Sequence, residues 1–274
     1  MLIFEKQESA EKILPTLSKD GFKRGLYGKA GYFFIGDEKM SWLDRTKMIL
    51  GKQNMEKISN SRVAVLGLGG VGGAVAEALV RVGIGHLLLI DGDSVDETNI
   101  NRQLIASLDT VGMDKTDAAK IRFDKINPNA EICYKKEFYL PENSDFLYEW
   151  KPDYIIDAID TVTAKLDLAK KCNEKGIPLI MCLGTGNRLD PSKFHIGDIK
   201  DTAGCGCPLA KVMRHELKKM GIYSQKVLYS TEDPIKVSIS GENGKNSPGS
   251  ISFVPPVAGY IIASECVRNL ISEK

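Results

Sequence analysis

The sequence predicts an α/β fold: a Rossmann-like, doubly wound, mostly parallel sheet with a C-terminal extension. Three observations carry that expectation. Apolar, β-rich runs alternate with helical patterns at the spacing of βαβ units. The first run, RVAVL at 62–66, passes directly into the glycine-rich turn GLGGVGG at 67–73. Hydrophobic residues make up 43% of the 274 positions, enough for a substantial core.

The elements follow in order. Residues 1–40 read as an N-terminal extension of unknown role, with a short helix around Glu5–Leu17 and a glycine-rich stretch after it. The domain proper is placed at 41–274. It opens on a helical spacing of Leu43, Met48, Ile49, Met55 and Ile58. After the first strand and its turn, a helical pattern runs through Ala74–Val82 and is stopped by Gly83 and Gly85. HLLLID is the second strand and ends at Asp91. An amphipathic helix spans 115–126 and stops at Asn127–Pro128. EICYKKEFY, DYIIDAID (153–160) and IPLIMCLG (177–184) are the third to fifth strands, with a helix over 164–175. Beyond Gly184 the order weakens. FHIGDI is one more strand. Pro208 opens a helix closed by Gly221, with Leu209, Val212, Met213 and Leu217 toward the core. Residues 232–250 read as a mobile loop, and ISFVPPVAGYIIASECVRNLI as a short strand and a closing helix.

Bulk properties exclude several classes. The formal net charge is +1, so any basic surface must be local. Six cysteines occur with no CxxC pair, the pattern of reduced cytosolic thiols rather than of a disulfide framework. A zinc site built from two CxxC pairs is excluded. No run of 18 apolar residues is present, so no membrane-spanning helix is expected. The N-terminus carries acidic residues where a secretory signal is basic and then apolar, and a cytoplasmic protein is expected.

Within GLGGVGG, Gly67, Gly69 and Gly72 fit GxGxxG. The first glycine permits a tight turn, the second lets the backbone approach phosphate, and the third lets helix and strand pack closely. The following helix start offers free N–H groups to an anion. Asp91 lies where a carboxylate can bond ribose hydroxyls. These features alone fit NAD and ATP equally. The next segment adds Asp93, Asn99, Arg102, Gln103 and Lys115 within 25 positions of Asp91. Arg102 and Lys115 are cations able to clamp a triphosphate. Asp160, read as the end of the fourth strand, falls on the carboxyl edge where ligands of open sheets bind, and a carboxylate facing phosphates holds Mg²⁺. Taken together, these residues describe a triphosphate–metal site better than a dinucleotide site.

GLGGVGG, IDGDSVDETNINRQ, VGMDK, INP and DAIDT together resemble the ubiquitin-activating-enzyme-like (ThiF/MoeB/HesA) superfamily. That resemblance implies an ATP·Mg²⁺ site formed by Gly67, Gly69, Gly70, Gly72, Asp91, Asn99, Arg102, Lys115 and Asp160. It further implies that Arg102, Lys115 and Asp160 form the catalytic group, with Asp160 as the metal ligand. It also implies that Arg45 reaches the γ-phosphate of a neighbouring protomer, hence a homodimer. WLDRTKMILG, FYLPEN, DAIDTVTAK, GTGNRLDPSKFHIGDI, CPLAKVMRHELKK, VLYSTEDP and PGSISFVPPVAG are similar to the branch acting on N6-threonylcarbamoyladenosine in tRNA. The activity so implied is adenylation of the threonyl carboxylate by ATP, followed by ring closure with loss of AMP. A cysteine desulfurase or sulfur-acceptor partner belongs to the same set of implications.

Three alternatives stand beside this reading: activation of the C-terminus of a ubiquitin-like sulfur carrier, an NAD-dependent oxidoreductase, and a non-catalytic nucleotide-binding partner. Lys211, Arg214, His215, Lys218 and Lys219 share one helix; tRNA contact and a plain solvated face are equal readings there. Cys207 is either a thioester nucleophile or, by preference, structural, and Cys205 with Cys207 lacks a second metal-binding pair. His86 and His195 read as ordinary strand residues.

Overall fold

The computed structural model describes residues 40–236 and 248–272. The helix expected near Glu5–Leu17, and 237–247 of the expected mobile loop, lie outside the described residues.

Helix α1 (Asp44–Asn60) leads into β1 (Arg62–Leu66), α2 (Gly70–Val82) and β2 (His86–Ile90). Then follow α3 (Lys115–Phe123), β3 (Glu131–Lys135), α4 (Asp145–Glu149), β4 (Tyr154–Asp157), α5 (Val162–Lys175) and β5 (Leu179–Cys182). The last part holds β6 (Phe194–Asp198), α6 (Pro208–Lys219), β7 (Lys226–Ser230) and α7 (Val254–Ile271). The seven strands form one sheet in the order β3-β2-β1-β4-β5-β7-β6. All pairs are parallel except β6 with β7.

Alternation along each strand divides the core into two layers. Val63 and Val65 of β1, Leu87 and Leu89 of β2 and Ile156 of β4 pack with α2 and α7 on one face. Ala64, Leu66, Leu88, Ile90 and Ile155 pack with α5 and α6 on the other. The strands are therefore apolar on both sides, as a parallel sheet covered by helices requires. Gly83 closes α2 in the left-handed conformation, with a φ of 92°.

Four differences from the sequence reading have physical causes. The fourth strand stops at Asp157, and Asp160 lies three residues beyond it in a loop. Asp157 turns the chain there: its carboxylate accepts from the Ile159 amide at 3.1 Å and from Lys165 Nζ at 3.0 Å. Periodicity does not distinguish β7, yet this strand inserts between β5 and β6 and makes β6 the antiparallel edge. No strand forms at 251–253; a turn leads into α7, whose first turn carries Pro255 and Pro256. On α6, Met213 and Leu217 are buried as expected, but Val212 is exposed and Ala210 takes the inward position.

Candidate active site at the reversal point of the sheet

Strands β1 and β4 are adjacent, and winding reverses between them. At such a point the connections leave toward opposite faces and open a crevice beyond the carboxyl ends of the strands. A cavity of about 660 Å³ occupies it, a size proper to a small-molecule site. Its wall includes Gly67, Gly69 and Gly70 of the turn, Asp91 after β2, Asn99 and Arg102 of the following segment, Lys115 at the start of α3 and Asp160 after β4.

Two glycines are required by geometry. Gly67 has a φ of 87°, and a Cβ there would lie 2.8 Å from the Ala158 carbonyl oxygen. A Cβ on Gly72 would lie 1.8 Å from the Gly67 carbonyl oxygen, so this glycine closes helix onto turn rather than lining the cavity. No side chain caps the start of α2 at Gly69. Its first N–H groups are therefore left without a side-chain partner beside a cavity that Gly69, Gly70 and Val71 line, an arrangement that favours an anion.

Asp91 braces this turn. Its carboxylate accepts from the Leu68 amide at 2.6 Å and from the Asp93 amide at 2.8 Å. Burial pushes its carboxyl above the usual range, against the pull of Lys115 and the two amides. Lys115 is itself buried; its Nζ lies 2.7 Å from Asp93 and 3.8 Å from Asp91. Asn99 is buried too, held by the short helix Glu97–Asn99, where its Oδ1 accepts from the Asp96 amide at 3.3 Å. Arg102 is half-buried and donates to the Thr98 carbonyl and to Asn101 Oδ1. Among the described residues Arg102 makes no ion pair, and neither does the exposed Asp160. Cation and carboxylate thus line the cavity without a counter-charge among the described residues.

Arg45 is exposed on α1 and does not line this cavity. Gln103, which the sequence groups with Arg102 and Lys115, is buried beside the glycine turn, and its Oε1 has no hydrogen-bond partner among the described residues. The structure also brings in residues to which sequence reasoning assigned no role. Phe138, Leu140 and Ile159 supply apolar wall. Thr185, Gly186, Gly249, Ser250 and Pro255 close it from the C-terminal part of the chain. The loop after β5 and the segment before α7 are tied together, Asn187 N donating to Gly249 O at 2.8 Å and Gly249 N to Asn187 Oδ1 at 2.6 Å. Beneath the loop carrying Asp160, Lys165 and Asp157 form an ion pair at 3.0 Å with both side chains fully buried. Lys165 also donates to the Cys182 carbonyl at 2.8 Å, joining α5 to the ends of β4 and β5. Nothing in DAIDTVTAK marks this lysine as buried.

This donor set fits a magnesium nucleotide. Mg²⁺ keeps several waters and is held by one or two protein carboxylates together with substrate phosphates. Asp160 supplies one carboxylate, and Asp93 is engaged by Lys115.

The fold and this cavity define an α/β nucleotide-binding protein with a cradle for phosphate. The ThiF family model matches residues 43–274, and the chain belongs to that family. It is 43% identical over 241 residues to the tRNA threonylcarbamoyladenosine dehydratase of Bacillus subtilis, covering 84% of this chain and 94% of the relative. The crystal structure of the Escherichia coli tRNA N6-threonylcarbamoyladenosine dehydratase in complex with ATP superimposes with a TM-score of 0.76 at 30% identity. That match covers 84% of this chain and 93% of the other. The same enzyme in complex with AMP gives a TM-score of 0.77. The molybdopterin-synthase adenylyltransferase of Haemophilus influenzae is 33% identical over 127 residues, covering 46% of this chain and 51% of that protein.

Proposed function

We propose that this protein is an ATP-dependent tRNA threonylcarbamoyladenosine dehydratase, an adenylate-forming enzyme that closes the threonyl side chain of N6-threonylcarbamoyladenosine into a ring. The observation that carries the reading is the convergence of Gly67, Gly69, Gly70, Asp91, Asn99, Arg102, Lys115 and Asp160 on one cavity. A chain similar to the tRNA-acting dehydratases over nearly the whole length of the Bacillus relative supports the substrate.

The substrate carboxylate attacks the α-phosphorus of ATP, and the bond to the bridging oxygen breaks as pyrophosphate leaves. An internal nucleophile of the same substituent then attacks the acyl carbon, loses its proton and expels AMP. The sum is loss of one water, with ATP consumed to AMP and pyrophosphate. The protein's own part is positioning and charge neutralisation. The α2 amides cradle phosphate, Arg102 and Lys115 neutralise developing negative charge, Asp91 and Asn99 face the ribose, and Gly72 keeps the turn tight. Phe138, Leu140 and Ile159 offer an apolar wall to a purine. Asp160 would hold Mg²⁺, which supplies Lewis-acid stabilisation of the phosphates.

The catalytic unit is assigned to 41–274 and the extension to 1–40. A homodimer is supported by exposed apolar side chains at Leu108, Val111, Met113 and Ile121, and the exposed Arg45 is assigned by the resemblance to a partner's γ-phosphate. Six free thiols agree with a cytoplasmic setting. The cysteine desulfurase or sulfur-acceptor partner rests on the resemblance alone. Activation of a sulfur-carrier C-terminus has less support, because the adenylyltransferase relative aligns with under half of this chain.

The test is mass spectrometry of tRNA nucleosides after incubation with enzyme, ATP and Mg²⁺. A product lighter by one water, formed only with ATP, is expected. Unchanged tRNA together with pyrophosphate exchange on a carrier protein would overturn the assignment.

A further inference from the structure

Helix α6 presents a second surface outside the cavity described above. Its inner face is spent on the core, where Ala210, Met213 and Leu217 are buried. Arg214 is also turned inward, donating to the Thr202 carbonyl at 2.7 Å and to its hydroxyl at 2.6 Å. The outer face borders a groove of about 950 Å³ whose walls include Lys200, Lys211, Val212, His215, Lys218 and Tyr223. Lys200, Lys211 and Lys218 are exposed and make no ion pair among the described residues. The acid in this wall, Glu216, is engaged by Lys219 at 2.9 Å. Tyr223 is 70% exposed.

Solubility accounts for lysines on a helix, but it gives no reason to set a tyrosine ring in water among them. Uncommitted cations beside an exposed aromatic ring form the combination that holds single-stranded nucleic acid, with phosphates on the cations and a base stacked on the ring. The groove also starts at the right place. Cys207 precedes Pro208, the first residue of α6, and its Sγ lies 3.1 Å from where a Cβ on Gly184 would stand. The next two residues, Thr185 and Gly186, line the nucleotide cavity. From there the twelve residues of α6 extend about 18 Å.

We propose that the α6 groove is the docking track for the tRNA substrate, with Lys200, Lys211 and Lys218 on backbone phosphates and Tyr223 under an unpaired base near the modified nucleoside. The proposal rests on the dehydratase reading, and its test separates the two. Affinity for tRNA carrying threonylcarbamoyladenosine is measured by fluorescence anisotropy across a salt series, alongside thermal-shift protection by ATP·Mg²⁺. Tyr223→Ala is expected to weaken tRNA binding about tenfold. Lys211→Ala with Lys218→Ala is expected to flatten the slope of log affinity against log salt by about 0.7 to 0.9 for each phosphate no longer neutralised. Both variants should keep wild-type protection by ATP·Mg²⁺, because neither touches that cavity. Wild-type affinity and slope in both variants, with a wild-type enzyme that binds and dehydrates tRNA, would overturn the proposal and leave the groove to a protein partner. A wild-type enzyme inert toward tRNA would instead sink the dehydratase reading.

Discussion

Two lysine–aspartate pairs stand at the carboxyl edge of this sheet, and their surroundings are opposite. Lys115 beside β2 meets Asp93 at 2.7 Å, and the Asp93 side chain is 54% exposed to the cavity. Lys165 beside β4 meets Asp157 at 3.0 Å, and neither side chain is exposed at all. The first pair is open to exchange: a phosphate entering the cavity can take the ammonium from Asp93 without breaking the fold. The second is sealed, and nothing from solvent can replace either partner. Residue type and strand-edge position are shared; access to water separates a binding group from a structural one.

The largest break in that comparison is expected at Asp160, three residues past the sealed Asp157. Asp160→Ala should abolish ATP-dependent turnover while the thermal midpoint stays at the wild-type value, since the side chain is exposed; chelation of Mg²⁺ should give the same loss. Lys165→Met should do the reverse in kind. It leaves the Asp157 carboxyl buried without a counter-charge, a loss of about 3–5 kcal/mol of stability, read by urea denaturation. Pairing it with Asp157→Asn should recover part of that. Stability equal to wild type in Lys165→Met would erase the distinction drawn between the pairs. Lys115→Ala should lower turnover by about 3 kcal/mol in activation free energy, as loss of one electrostatic donor does, measured by single-turnover kinetics.

The smallest effect concerns Glu77, which ties α2 to α3 by accepting from Arg122 at 2.5 Å and Arg81 at 2.9 Å. Burial acts to raise its carboxyl, but the two guanidiniums outweigh it and hold it below the usual range. Its contribution is therefore present above the unfolded carboxylate range and lost as pH falls from that range through the lowered folded value. Glu77→Gln should flatten the acid side of the stability curve, seen as a smaller fall in thermal midpoint between about pH 5 and pH 3. A curve parallel to wild type would remove Glu77 from that account.

The contrast between the pairs also explains what the sequence disclosed. Gly67, Gly69, Gly70, Asp91, Asn99, Arg102, Lys115 and Asp160 are legible as candidates because they lie near element ends, where periodicity breaks, and all line one cavity. Lys165 is not legible. In VTAKLDLAKK it looks like any lysine of an amphipathic helix, and its burial depends on Asp157 and on a carbonyl at Cys182, residues on two other elements. The insertion of β7 between β5 and β6 is hidden for a related reason: KVLYS carries local strand character but nothing that says which neighbour it will find. Asp160 is found by type and misplaced by position, because the turn that ends β4 is made by a side-chain hydrogen bond to Ile159.

Helix α7 has a bearing on how the molecule is made. Pro255, in its first turn, lines the nucleotide cavity, and a Cβ on Gly259 would lie 2.4 Å from the Val71 carbonyl oxygen of α2. The start of α2, beside the glycine turn, is bedded on a helix that follows it in the chain by nearly 200 residues. During synthesis the emerging chain therefore carries the glycine turn without its support. A chain cut short before α7 would therefore bear the glycine turn and lack both the Pro255 wall of the cavity and the helix packed against α2.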